Sequence, residues 1–376
     1  MKKRLKILAF NTVRAPYRVD LYNQLGFYFD LTVFFEQRHD SSRSKEWYSN
    51  DFRNFRMKHA KKWEKSLRWP KLDVISALGT CQYDIVYMSE WSTITSLMLM
   101  FACLCRRIPY ILSIDGHNNN KQSNFVKDTI KKFFAQRASA IIGTGKTTTT
   151  YAKSLGVPGE KIYSIGFTTL FEREILSSPV TDEEKNEIKN NIGLDVELHY
   201  VLYAGQLVVR KGVDLLLRAW SQCKSPNSWS WRLLIVGDGV EKENLQKIKS
   251  QLNLDTVDFI PNVSKEKLLS YYKASDLFVL NTREDIWGLV VNEAMANGLP
   301  VLTTFQCVAG GELIENDING YLYDCDDVDS CARYLSKLMN EEKLRWQIGV
   351  NNINKIKSFT IESEAKRIRD IIDSII

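Results

Sequence analysis

Much of what narrows the reading of this 376-residue chain is missing from it. No apolar run is long enough to cross a bilayer. The longest, Ile94–Cys105, has 12 residues where a spanning helix needs roughly 20, so it reads as a buried helix. The opening stretch, MKKRLKILAFNT, has too short an apolar core for a signal peptide and reads as a first strand. Seven cysteines, an odd number with no C-x-x-C pair, argue against a disulfide framework or a zinc site and for a reducing cytosol. His39, His59, His117 and His199 are dispersed, so no metal site is expected. A P-loop is missing as well. ASAIIGTGKTTTT carries Gly145-Lys146-Thr147, but the first glycine that G-x-x-x-x-G-K-[ST] requires is Ala140, which excludes a nucleoside triphosphatase of that type.

What is present points to a two-domain α/β protein. The length exceeds one ordinary core, and 44% apolar content is normal for a globular chain. The net charge of +6 hides an asymmetry. Residues 1–175 hold 28 Lys and Arg against 15 Asp and Glu; the rest hold 23 against 30. A basic half suits an anionic partner. The charge is densest over Arg43–Lys71, with ten cations against three acids among Trp47, Tyr48, Phe52, Phe55, Trp63 and Trp69. Cations with interfacial aromatics fit an anionic membrane surface. Arg53, Arg56, Lys61, Lys62, Trp63, Lys65, Arg68 and Trp69 are the expected contacts. No nucleic-acid motif accompanies them, so no nucleic-acid partner is expected.

The stretch Asp276–Thr304 carries the chemistry. DLFVLN reads as a buried strand, Arg283-Glu284-Asp285 as a polar loop, Gly288–Asn297 as a helix stopped by Gly298 and Pro300, and Val301–Thr304 as the next strand. In a parallel sheet such a loop and helix start lie at the carboxyl edge, where ligands bind. Unpaired N–H groups at the helix start, around Ile286–Leu289, suit a phosphate. Asp285 and Glu293 flank that helix start with seven residues between them, and carboxylates accept well from sugar hydroxyls.

W-G-L-V-V-N-E-A-M-A-N-G-L-P-V resembles the signature of the retaining family 4 glycosyltransferases, E-x7-E followed by A-M-A-x-G-x-P-V. Here the first acid is Asp285, with Glu284 beside it, and either can serve. G-Q-L-V-V-R-K-G resembles the family's G-R-L-x-x-x-K-G; Lys211 matches its lysine, Gln206 stands at its arginine, and Arg210 replaces that charge. The resemblance extends to Gly237-Asp238-Gly239, Gly310-Gly311-Glu312 and Asn319-Gly320-Tyr321.

The resemblance implies a GT-B fold: two Rossmann-like α/β domains facing each other across a cleft. The expected division is 1–170 for the acceptor, 171–355 for the donor, and a terminal helix, 356–376, that crosses back to the first domain. It implies transfer of a sugar from a nucleotide-diphosphate sugar to a glycan acceptor, with retention and without a metal or other cofactor. The acceptor would be polyprenyl-diphosphate-linked, in surface-polysaccharide synthesis at the cytoplasmic face of the membrane. By the same resemblance Glu293 holds the ribose and Asp285 or Glu284 the transferred sugar. Arg210 and Lys211 stabilise the departing diphosphate, and Gly205, Trp287, Gly288, Leu289 and Val290 are further donor-binding positions. Asn262 and Val263 lie where the base is read, and Asp115 and His117 face the sugar from the first domain. Arg14, Tyr17, Arg18 and Lys146 are candidates for phosphate or acceptor contacts. The alternatives are a GT-B sugar-nucleotide epimerase and a non-catalytic glycan- or nucleotide-binding protein of the same fold.

Overall fold

The computed structural model describes residues 4–37, 49–59, 72–80, 82–114, 125–224 and 230–376. The chain divides into two compact units, residues 1–169 with 361–376, and residues 170–360.

Unit 1 alternates strands and helices: β1 (Lys6–Asn11), α1 (Pro16–Tyr28), β2 (Asp30–Phe35), β3 (Arg56–His59), α2 (Leu72–Thr80), β4 (Ile85–Met88), α3 (Ile94–Arg106), β5 (Tyr110–Ile114), α4 (Phe125–Arg137), β6 (Ala140–Thr144), α5 (Lys146–Ser154) and β7 (Ile162–Ile165). All pairs are parallel, in the order β3-β2-β1-β4-β5-β6-β7. The central strands are continuous apolar runs because helices cover both faces of such a sheet. Pro16 starts α1, where a missing N–H costs nothing. Thr93 caps α3 by accepting from the Ser96 N–H, so the apolar run Ile94–Cys105 is a helix of this unit.

The edge strand β3 was not expected. RMKH lacks apolar alternation, and the segment reads from sequence as a membrane contact. It pairs with β2 while its side chains stay largely exposed. Phe52 and Phe55, expected to be interfacial, pack inward against Phe35 and Tyr22, at ring distances of 6.5 and 6.0 Å. Arg53 pairs with Asp51 (2.9 Å) and Arg56 with Asp30 (2.5 Å), all partly or well exposed. Lys61, Lys62, Trp63, Lys65, Arg68 and Trp69 lie outside the described residues.

Unit 2 runs α6 (Asp182–Ile192), β8 (His199–Ala204), α7 (Val213–Gln222), β9 (Trp231–Val236), α8 (Lys242–Gln251), β10 (Val257–Ile260), α9 (Lys265–Ala274), β11 (Leu277–Leu280), α10 (Leu289–Ala296), β12 (Val301–Thr304), α11 (Val308–Leu313), β13 (Gly320–Tyr323), α12 (Val328–Asn340) and α13 (Glu342–Ile356). Its parallel sheet is ordered β10-β9-β8-β11-β12-β13. The last helix, α14 (Ile361–Ile375), belongs to unit 1. Ile361, Ala365, Ile368, Ile371 and Ile372 are spaced along one helical face, and the last four join the core formed by α1 and β1. Burying each isoleucine contributes about 1.5–3 kcal/mol. Among the described residues, no helix is long and apolar enough to cross a membrane.

Candidate active site in unit 2

Strand order in the second sheet reverses between β8 and β11, which opens a crevice outside their carboxyl ends. The loops that leave these two strands meet there. After β8 the chain makes one tight turn, Val209–Lys211, and reaches Gly212 at φ +61°. A Cβ on Gly212 would collide with the Asn281 carbonyl oxygen, so only glycine lets the loops close this far. The Arg210 carbonyl accepts from the N–H of Arg283 (2.8 Å) and the Thr282 hydroxyl (3.0 Å). Arg283 clamps the junction from the other side. Its guanidinium donates twice to Asp214, at 2.8 and 2.7 Å, and once to the Val209 carbonyl, at 2.7 Å. Burial pushes the Asp214 carboxyl up, but the hydrogen bonds and charge of Arg283, together with backbone N–H groups, leave the group below its ordinary range.

Lys211 and Asp285 face each other inside this junction. They form a mostly buried ion pair, the lysine side chain 10% and the aspartate 15% exposed. Glu284 is exposed, while its carbonyl accepts from Thr282 (2.9 Å) and Arg210 (3.3 Å). The alternation of the loop therefore turns Asp285, rather than Glu284, towards the lysine. Asp285 is held by its own N–H, which donates to Gln306 (3.1 Å), and by its carbonyl, which accepts from Val308 (3.4 Å). Gly288 follows at φ +95° and caps α10. A side chain there would press on the buried Cys307 thiol, which burial and the nearby Asp285 carboxylate push up to about 11.

Glu293, one turn into α10, accepts from the Tyr272 hydroxyl at 2.9 Å. Burial raises its carboxyl above the ordinary 4.5, and the tyrosine hydrogen bond offsets part of that rise. The Trp287 indole is buried and donates to Asn292 (2.9 Å), so this side chain anchors the loop to the helix. Leu289 and Val290 open the helix and are partly exposed. Gly205 joins the neighbouring loop, its N–H bonded to Val236 (3.0 Å). Asp238 shapes its own turn by accepting from the Gly239 N–H (2.9 Å) and pairing with Lys242 (3.4 Å). Exposed Asn262 and half-buried Val263 follow β10 at the same edge. Sequence reasoning missed Arg283, Asp214 and Tyr272; each acts through a partner at least 21 residues away, and no local pattern announces such a pair.

In unit 1, Arg14 and Arg18 are buried, and Arg14 donates to Asn50. Tyr17 packs edge-on against Phe167, with ring centroids 5.1 Å apart. Lys146 is exposed at the first position of α5. Asp115 and His117 lie outside the described residues.

The fold and the crevice define an α/β protein of two Rossmann-like units whose second unit presents a cation, two acids and a helix start at one sheet edge. Residues 184–355 match the family described as Glycosyl transferases group 1. The chain is 33% identical over 175 residues to an uncharacterized glycosyltransferase of Haemophilus influenzae, covering 46% of this chain and 47% of the relative. It is 35% identical over 147 residues to the amylovoran biosynthesis glycosyltransferase AmsD of Erwinia amylovora, covering 39% of this chain and 40% of the relative. These alignments thus span about half the relatives' length or less. Among solved structures, HepE of Anabaena in complex with UDP matches 99% of this chain and 100% of its own, with a TM-score of 0.78 at 19% identity. The fold is that of GT-B glycosyltransferases.

Proposed function

We propose that the protein is a retaining, metal-independent glycosyltransferase of family 4 type. It moves a sugar from a nucleoside-diphosphate sugar to a hydroxyl of a glycan acceptor. The observation that carries this reading is the buried Lys211–Asp285 pair at the reversal point of the sheet. Without ligand, each charge satisfies the other. A diphosphate placed between Arg210, Lys211 and the start of α10 takes over the lysine, which frees Asp285 to accept from hydroxyls of the transferred sugar. Glu293 accepts from the ribose hydroxyls in its ionised form.

In the transfer step the bond between the anomeric carbon and the leaving phosphate oxygen breaks. The acceptor oxygen attacks from the same face, and its proton passes to that phosphate oxygen. The products are the glycoside and a nucleoside diphosphate. Arg210, Lys211 and the helix dipole stabilise the departing charge, the role a metal ion has elsewhere. Asp115 and His117 are proposed to face the transferred sugar. UDP is the first nucleotide to test, because HepE is a UDP complex. AmsD acts in amylovoran biosynthesis, and surface-polysaccharide synthesis is the proposed setting here. The basic N-terminal half suits a polyprenyl-diphosphate-linked acceptor at an anionic membrane face.

The test is thermal stabilisation by UDP, GDP, ADP, dTDP and their sugars, followed by transfer assays on a hit. A nucleotide at a hundred times its dissociation constant should add roughly 2.7 kcal/mol of stability. Absence of any shift, with or without anionic liposomes, would overturn the donor-site reading. Glu293→Ala should keep the fold and lose transfer.

A further inference from the structure

Glu293 does not stand alone at the start of α10. Tyr272, near the end of α9, is 2% exposed, and its ring packs at a tilt on the buried Phe278 of β11, 5.7 Å between centroids. That packing fixes the ring, and its hydroxyl reaches Glu293 Oε2 at 2.9 Å. A carboxylate only accepts, so the tyrosine is the donor of this bond. Burial, and then the Glu293 charge beside it, raise the phenol well above its ordinary range, so the donor keeps its proton at neutral pH.

The two oxygens of Glu293 differ. Oε2 is bonded to Tyr272, the one hydrogen-bond partner that the carboxylate has among the described residues. Oε1 has no such partner, and it is not sealed inside the unit as the orphaned oxygens of Asn281, Asn297 and Asn352 are. The last torsion of a glutamate is broad and roughly two-fold, so a carboxylate held at neither oxygen would turn freely. A hydrogen bond at one oxygen sets its plane and leaves the other to accept from a ligand.

The charges that face Glu293 from other elements do little of this work. They are Lys265, at the start of α9, and Glu174, in the turn Glu172–Glu174. These two pair with each other at 2.8 Å and act on Glu293 with opposite signs. Burial raises the Glu293 carboxyl, and the Tyr272 hydrogen bond is the largest influence against it.

We propose that Tyr272 is a positioning residue of the donor site: its hydroxyl sets the plane of the Glu293 carboxylate so that Oε1 receives the vicinal ribose hydroxyls of the nucleotide. This rests on the reading of Glu293 as the ribose acceptor, and it makes the ribose preference of the site depend on a side chain that acts through Glu293.

The test is titration calorimetry on the full chain with UDP, GDP and ADP and with the 2′,3′-dideoxy analogue of each, from about pH 4 to pH 8. The parent, Tyr272→Phe, Glu293→Ala and the double variant are compared. The parent should prefer a nucleotide that binds over its dideoxy analogue. Tyr272→Phe should weaken that nucleotide about tenfold at neutral pH and change the dideoxy analogue about twofold at most. The acid limb of its binding should move to higher pH, because the bond that lowers the Glu293 carboxyl is gone. On the Glu293→Ala background the same substitution should add about twofold at most. A tyrosine that is structural only would weaken nucleotide and analogue alike and leave the acid limb in place. That result, or an equal effect of Tyr272→Phe with and without Glu293, overturns the role of Tyr272 while the donor site stands. If the parent binds none of the three nucleotides, or binds each no better than its dideoxy analogue, the ribose reading of Glu293 fails and the role of Tyr272 with it.

Discussion

At the reversal point of the first sheet, between β1 and β4, the chain places Arg14 and Arg18, and both are buried, at 9% and 3% exposure. At the reversal point of the second, between β8 and β11, it places Arg210, which is exposed, and Lys211, which is paired with a loop acid. The crevice that this topology creates is filled in unit 1. The Tyr22 hydroxyl occupies it, shared with Ser89 (2.9 Å) and Asn11 (3.2 Å), and the Thr12 hydroxyl donates to Glu90 (3.2 Å). In unit 2 the corresponding loops carry Gly205 and Gly212, and the missing side chain at Gly212 lets its loop close against the Asn281 carbonyl. The same strand order thus carries buried arginines at one reversal point and, at the other, an exposed arginine beside a lysine paired with a loop acid, the candidate donor edge.

The sharpest way to break this contrast is Lys211→Ala. It should lower transfer by roughly 100- to 1000-fold, read as the initial rate of nucleoside-diphosphate release. It should also destabilise unit 2, because Asp285 is left buried without its partner. A rate within twofold of the parent would show that the pair is structural only. Next in size is Arg283→Ala, which opens the clamp on Asp214. Donor KM should rise about tenfold through loosening of the Val209–Lys211 turn, with the melting temperature only slightly lowered. An unchanged KM would remove the clamp from the account of the site.

Arg18→Met tests the other side. Loss of a buried cation should cost roughly 1–3 kcal/mol of stability and leave the UDP-induced shift unchanged. A lost UDP response would make the first crevice a phosphate site after all. The smallest effect is expected from Glu293→Gln. The folded carboxyl is raised above 4.5, so the native state binds this proton more tightly than the unfolded chain does. The ionised group therefore disfavours the native state above its folded pKa, and the penalty disappears as pH falls below the ordinary value. The variant should melt roughly 1–3 °C higher at neutral pH, no higher below pH about 4, and bind nucleotide more weakly. An equal gain at both pH values would assign the effect to something other than ionisation.

Much of the second unit was legible because its signals are local. DLFVLN is a strand since every side chain from Leu277 to Leu280 is buried, and the acidic loop and helix follow in the expected order. The helix end at Gly298 was readable because that residue adopts φ +71°. Less of the first unit was legible. β3 carries no apolar alternation, and the aromatics Phe52 and Phe55 looked interfacial because composition does not say which way a ring points. Arg14 and Arg18 read from the sequence as candidates for phosphate or acceptor contacts, and the structure buries both.

By itself the sequence determined the parallel α/β class, the spacing of Asp285 and Glu293, and the loop glycines. Each of these follows from residue type and short-range periodicity. Only the tertiary structure decided that Asp285 rather than Glu284 meets Lys211, that Arg283 locks onto Asp214, and that Tyr272 reaches Glu293. The physical reason is common to all three. Hydrogen bonds and ion pairs form between groups that tertiary packing brings together, and these partners lie from 21 to 74 residues apart along the chain.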